Sequence, residues 1–183
     1  MFTIQFDESV LNDIENKFVE FPQQAPRALA SAFNRVSTMS KTRMVRNATK
    51  TYTVKYGDLL SGLTMKRANP GKLMAEINSN GGYLGLDHFQ LNPSARTGRT
   101  SVTATVKNGN GIMLNDKTFI AYKDGHLGAF EREGSGRLPI KRKYGPSAPQ
   151  MLGPTTFLPA LDEFMSQKLN ERFEHELNRL LSM

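Results

Sequence analysis

Apolar residues recur at helical spacing in three stretches of this 183-residue chain and alternate with polar residues between them. After Asp7, a suitable N-cap, Val10, Leu11, Ile14 and Phe18 predict a helix to about Phe21. Pro22 and Pro26 then interrupt the chain, and Pro26 suits the first turn of a second helix running from Arg27 to about Lys50. Leu29, Ala32, Phe33 and Val36 form its apolar stripe. The half containing Lys41-Thr42-Arg43-Met44-Val45-Arg46 is basic and less apolar, so that end is expected to project towards a partner or to fray. The clearest amphipathic pattern comes last. Leu161, Met165, Leu169, Phe173, Leu177 and Leu180, at steps of three or four, with Phe164 beside Met165, predict a core-packing helix from Pro159 to Leu181.

Between the helices the pattern changes to strands. Tyr56–Leu63 reads as a short helix closed by Gly62. Leu63–Ala68 and Lys72–Ile77 alternate on either side of Asn69-Pro70-Gly71, the mark of a β-hairpin. Leu84–Leu91 predicts one short strand. Val102, Ala104 and Val106 predict another, which turns at Asn108-Gly109-Asn110-Gly111 into Ile112-Met113-Leu114. Thr118–Tyr122 and Leu127–Arg132 flank the turn Lys123-Asp124-Gly125-His126. Strand–helix–strand alternation is absent, so the expected class is α+β: an antiparallel sheet of about four to six strands packed against N-terminal helices and a long C-terminal helix.

Two stretches resist this reading. Residues 92–101 are polar, basic and turn-rich, and predict a flexible loop. In 134–159, nine Gly and Pro residues leave no room for a regular element, and an ordered, extended arm is expected. The chain is read as a single domain, 1–183, with residues 1–25 as a helical extension.

Charge sharpens the picture. The net +7 is uneven: residues 1–20 carry five acids and one Lys, residues 161–183 are at −2, and residues 21–160 hold 20 basic against 7 acidic side chains. A central block at +13 favours an anionic partner, nucleic acid or an acidic protein face. Hydrophobic residues make up 38% and mean hydropathy is −0.45, which implies a modest core and much surface or interface. No apolar run approaches the ~18 residues of a membrane span, and the N-terminus lacks the pattern of a signal peptide. A soluble, non-secreted protein without membrane partners is expected.

The sequence offers little for catalysis. Without Cys there is no thiolate nucleophile or thiolate metal site. His88, His126 and His175 have no metal-ligand spacing, and each reads as exposed or hydrogen-bonded. Glu131 and Glu133 share a predicted strand face, with nothing to complete an acid–base pair. Gly109-Asn110-Gly111 and Gly134-Ser135-Gly136 are turns, not phosphate loops, and Asn47-Ala48-Thr49 is a chance glycosylation sequon. No catalytic residue, cofactor or metal is therefore expected. The basic groups that remain are Lys41, Arg43, Arg46 and Lys50 on the second helix, Arg96 and Arg99 in the loop, and Arg137 and Lys141-Arg142-Lys143 in the arm. They suit non-specific phosphate contact, not base readout.

Ala129-Phe130-Glu131-Arg132-Glu133-Gly134, Arg137-Leu138-Pro139-Ile140 and Tyr144-Gly145-Pro146-Ser147-Ala148-Pro149-Gln150-Met151-Leu152 together resemble a signature of the minor tail protein Z family of long-tailed bacteriophages. Ala28–Val36, with its Phe33-Asn34-Arg35-Val36, is similar to a helix phrase of the same family, and the resemblance covers roughly 26–180. It implies a tail-completion or head–tail connection protein, made in the bacterial cytoplasm and carried in the tail or neck of the virion. It further implies a homo-oligomeric ring, commonly of six subunits, around a DNA-wide lumen, with tail-tube, terminator or neck proteins as neighbours. On that reading Arg96, Arg99, Arg137, Lys141, Arg142 and Lys143 face the partner or DNA, and Gly145, Pro146, Ser147 and Pro149 belong to the assembly arm. The charge alone supports an alternative, a sequence-independent nucleic-acid-binding protein.

Overall fold

The computed structural model describes residues 3–4, 23–96, 101–114, 117–123 and 125–182; the helix expected over 8–21 lies outside them. The residues group into two compact units. The first comprises Met1–Met44, Leu63–Asn80 and Gly153–Met183, the second Val45–Gly62 and Gly81–Leu152.

In the first unit two long helices supply the core. Helix α1 spans Ala25–Thr51, with Pro26 in its first turn as expected; its residues up to Met44 belong to this unit and those from Val45 to the second. Its residues Ala28, Leu29, Ala32, Phe33 and Val36 are buried. On the C-terminal helix, Leu158–Leu181, the buried positions are Leu161, Met165, Leu169 and Phe173. The Phe33 and Phe173 rings meet edge to face, with centroids 5.7 Å apart. Strands β1 (Thr3–Ile4), β2 (Leu63–Lys66) and β3 (Glu76–Ser79) form an antiparallel sheet in the order β1-β3-β2. The expected hairpin is β2–β3, in register from Leu63↔Ser79 to Lys66↔Glu76. Asn69 Oδ1 accepts from the Gly71 N–H at 3.0 Å and shapes its turn. Asn34 ties α1 to the hairpin by a reciprocal pair of 2.9 Å hydrogen bonds with the Ala68 backbone.

The far end of α1 does not lose its stripe, contrary to expectation. Met44, Val45 and Ala48 are buried, continuing the line through the buried Ser37 and Ser40. Two serines at stripe positions disguise the pattern, because a small hydroxyl packs as tightly as Ala when the helix is closely approached. Lys41 also turns inward, its Nζ donating to the Leu63 carbonyl at 2.9 Å.

In the second unit α2 (Tyr56–Ser61) is closed by Gly62, whose N–H reaches the Leu59 carbonyl. Strands β4 (Tyr83–Gly85), β5 (Gln90–Asn92), β6 (Thr103–Lys107), β7 (Asn110–Met113), β8 (Thr118–Lys123), β9 (His126–Arg132), β10 (Ile140–Arg142) and β11 (Tyr144–Ser147) follow. They form three antiparallel sheets, β5-β6-β7, β10-β9-β8 and β11-β4. The class is α+β as expected, but the strands divide among small sheets, because none exceeds seven residues and most end at a Gly, a Pro or a tight turn. Gly109 and Gly125, at φ of 81° and 78°, supply the left-handed residues of the β6–β7 and β8–β9 turns. The single strand expected over Leu84–Leu91 is two, β4 and β5, separated by a 3-10 turn at Leu86–His88.

The arm expected over 134–159 instead holds β10, β11 and the short helix α3 (Ala148–Leu152). Its prolines occupy places where a missing N–H is harmless. Pro139 precedes β10, Pro146 sits at the irregular register of the two-stranded β11–β4 pair, and Pro149 lies in the first turn of α3. The C-terminal helix, α4 in chain order, begins at Leu158 with Pro159 in its first turn. Among the described residues no helix is long and apolar enough to cross a membrane.

Candidate functional site

The signature segment builds the interior of the second unit. Arg142 on β10 donates to Asp87 Oδ1 at 2.6 Å, and the Asp87 and Arg142 side chains are largely screened from water. A Cβ at Gly85 would lie 2.7 Å from Arg142 Nη2, and one at Gly128 3.4 Å from its Nε. The guanidinium thus fits against two glycines, with Nε buried and unpaired. Beside it His88 Nδ1 lies 2.9 Å from Asp58 Oδ2, linking the 3-10 turn to α2. Lys143 is ion-paired to Glu131 on the neighbouring strand β9.

The next residues are equally committed. Gly145 lets the Phe89 ring approach, since a Cβ there would sit 2.7 Å from Phe89 Cε2. At the start of α3 Gln150 Oε1 reaches back to accept from the Ser147 backbone N–H at 2.9 Å and from its hydroxyl at 3.1 Å, the Gln half of a capping box. Met151 and Leu152 are fully buried. Gly145, Pro146, Ser147 and Pro149 therefore belong to a folded β11–α3 corner, and their spacing is accounted for by packing and capping.

The six basic residues singled out in the sequence separate into two groups. Arg96, Arg137 and Lys141 are exposed, and none has an ion pair among the described residues; Arg99 lies outside those residues. Arg142 and Lys143 are held by Asp87 and Glu131 inside the unit. Of the other sites considered, His126 and His175 are exposed and Glu133 lies beyond the end of β9. Among the described residues no three His, Cys, Asp or Glu side chains gather to hold a metal.

Charge is divided by unit. The second holds 13 Lys and Arg against 6 Asp and Glu, and so carries the whole net +7, while the first balances 11 against 11. The second unit also has an apolar edge that the sequence reading missed. All four residues of β7 are exposed, Ile112 to 62% and Met113 to 72%. Alongside lies a groove of about 230 Å³ lined by Leu86, Ala104, Val106, Ile112, Leu114, Thr118, Lys143 and Tyr144. Its one sequence signal is Ile112-Met113-Leu114, three consecutive apolar residues in a strand too short to bury them all. The second unit thus combines an exposed apolar strand edge with a net positive charge.

The chain belongs to the prophage minor tail protein Z (GPZ) family, whose model matches residues 9–183. It is accordingly a bacteriophage minor tail protein, a structural component of the virion tail. Searches of curated proteins and of solved structures found no match.

Proposed function

We propose that this protein completes the phage tail and helps join it to the head, acting as a closed ring of subunits through which DNA passes. The observation that carries the reading is the confinement of the net +7 to one compact unit that also exposes the apolar β7 edge. An apolar edge suits contact between subunits, and a basic surface without base-reading elements suits a passing phosphate backbone. A ring needs a heterologous interface that closes, and a hexamer is the stoichiometry expected from the family resemblance. Its neighbours would be tail-tube, terminator or neck proteins. Synthesis is assigned to the host cytoplasm, the mature location to the neck end of the tail, and no catalysis is assigned. Arg96, Arg99, Arg137 and Lys141 are the proposed DNA- or partner-facing side chains, while Arg142 and Lys143 are assigned to folding.

The test is to image tails from a phage lacking this gene. Tails that assemble but fail to join heads support the proposal; normal virions without the protein refute it. The charge also favours a second reading, sequence-independent nucleic-acid binding by the isolated subunit. Tight duplex binding by a monomer, with a steep salt slope, would select it.

A further inference from the structure

We propose that the groove beside β7 takes the acidic N-terminal segment, residues 7–21, of a second copy of the chain. The inference rests on the oligomeric reading above and names its contact. Strand β7 is a short edge of its sheet, with an irregular register at its Asn110 end, and carries neither Pro nor charge, two of the devices that blunt an exposed edge. Cations lie nearby instead: Lys107 is paired opposite Asn110 at one end of β7, and Lys117 adjoins the groove-lining Thr118 in sequence. Lys107 and Lys117 have no ion pair among the described residues, and the groove's own cation, Lys143, is already bound to Glu131. The surface therefore asks for an apolar segment with negative charge around it.

Residues 7–21 have that chemistry, whereas the other acidic amphipathic stretch, the C-terminal helix, already buries Leu161, Met165, Leu169 and Phe173. Val10, Leu11, Ile14 and Phe18 supply apolar side chains, and all five acids of residues 1–20 fall between Asp7 and Glu20, against Lys17 alone. Pairing β7 with the same face of another copy would bring two units of net +7 together, so a like-on-like contact is disfavoured. A donor segment and an acceptor groove on different parts of each subunit make a head-to-tail interface, the kind that closes into rings.

Two full-length variants test this. Ile112→Arg blocks the groove at an exposed lining position, and Ile14→Lys with Phe18→Lys blocks the segment. Native mass spectrometry should show wild type as a closed oligomer, each variant alone as a monomer, and their equimolar mixture as a one-to-one dimer. A labelled peptide of residues 7–21 should bind the segment-blocked variant, weaken at least about tenfold at high salt, and lose binding when the groove is also blocked. Wild-type oligomers that survive the groove substitution overturn this contact and leave the ring reading standing. A monomeric wild type overturns the ring reading; peptide binding in that case places the segment within its own chain, which overturns the second-copy contact too. Displacement of the peptide by duplex DNA as readily as by unlabelled peptide marks a general polyanion surface and also overturns it.

Discussion

Gly145 shows how a signature residue can serve the fold before any partner. A methyl there meets Phe89 Cε2 at 2.7 Å, and Phe89 is buried with little room to retreat. Gly145→Ala should cost about 1–3 kcal/mol in thermal or denaturant unfolding, whereas Gly134→Ala, with nothing within 4 Å of the added Cβ, should be close to neutral. Arg142 is the second case. Removing Asp87 leaves a partly buried guanidinium without its counter-ion, so Asp87→Ala should destabilise by about 1–3 kcal/mol. Replacing both residues together with apolar side chains should cost less than the two single changes summed. Glu76 has its carboxyl held below the ordinary glutamate range by the hydrogen bond from Lys66, then by Asn78. A group with a depressed folded-state pKa stabilises above its unfolded pKa and loses that contribution as pH falls through the folded value. Lys66→Met should therefore move the Glu76 titration upward by NMR and reduce stability near neutral pH more than in acid. From the sequence the phrase 144–152 was visible as a pattern, but not the reason for it. Phe89 and Gly145 are 56 residues apart, and nothing local to either reveals the contact.

At the level of elements, legibility followed the strength of the periodic signal. The C-terminal helix was readable almost to the residue, because Leu161, Met165, Leu169, Phe173, Leu177 and Leu180 keep an unbroken step of three or four. The end of α1 was misread because Ser37 and Ser40 occupy the buried line. Met44→Ala should accordingly behave as a core truncation, about 2–5 kcal/mol, and not as a surface change. Segment 134–159 was misread for a different reason. Proline excludes a strand interior or a helix middle, yet leaves helix first turns and sheet edges open, and Pro146, Pro149 and Pro159 use those positions. The Ser147–Gln150 cap was written in the sequence as S-x-x-Q. Gln150→Ala should cost about 1 kcal/mol, read as a fall in unfolding midpoint with the native fold retained.

For the molecule as a whole, the sequence located the charge and the fold changed its meaning. A basic block over residues 21–160 became a division between a neutral unit of two long helices with one hairpin sheet and a second unit of small sheets carrying all the net charge. The basic arm shrank, because Arg142 and Lys143 turned inward, and the apolar β7 edge emerged as a feature that periodicity could not show. If Arg137 and Lys141 face DNA, replacing both with Ala should lower the salt slope of binding by about two, uniformly across sequences. The central claim is that these surfaces close into a ring that completes the tail. Mass photometry of the purified protein, alone and with tail tubes, tests it most directly. The account predicts one discrete oligomer, with six subunits the expected number, that also caps the tubes; a strict monomer that never associates with tails would contradict it.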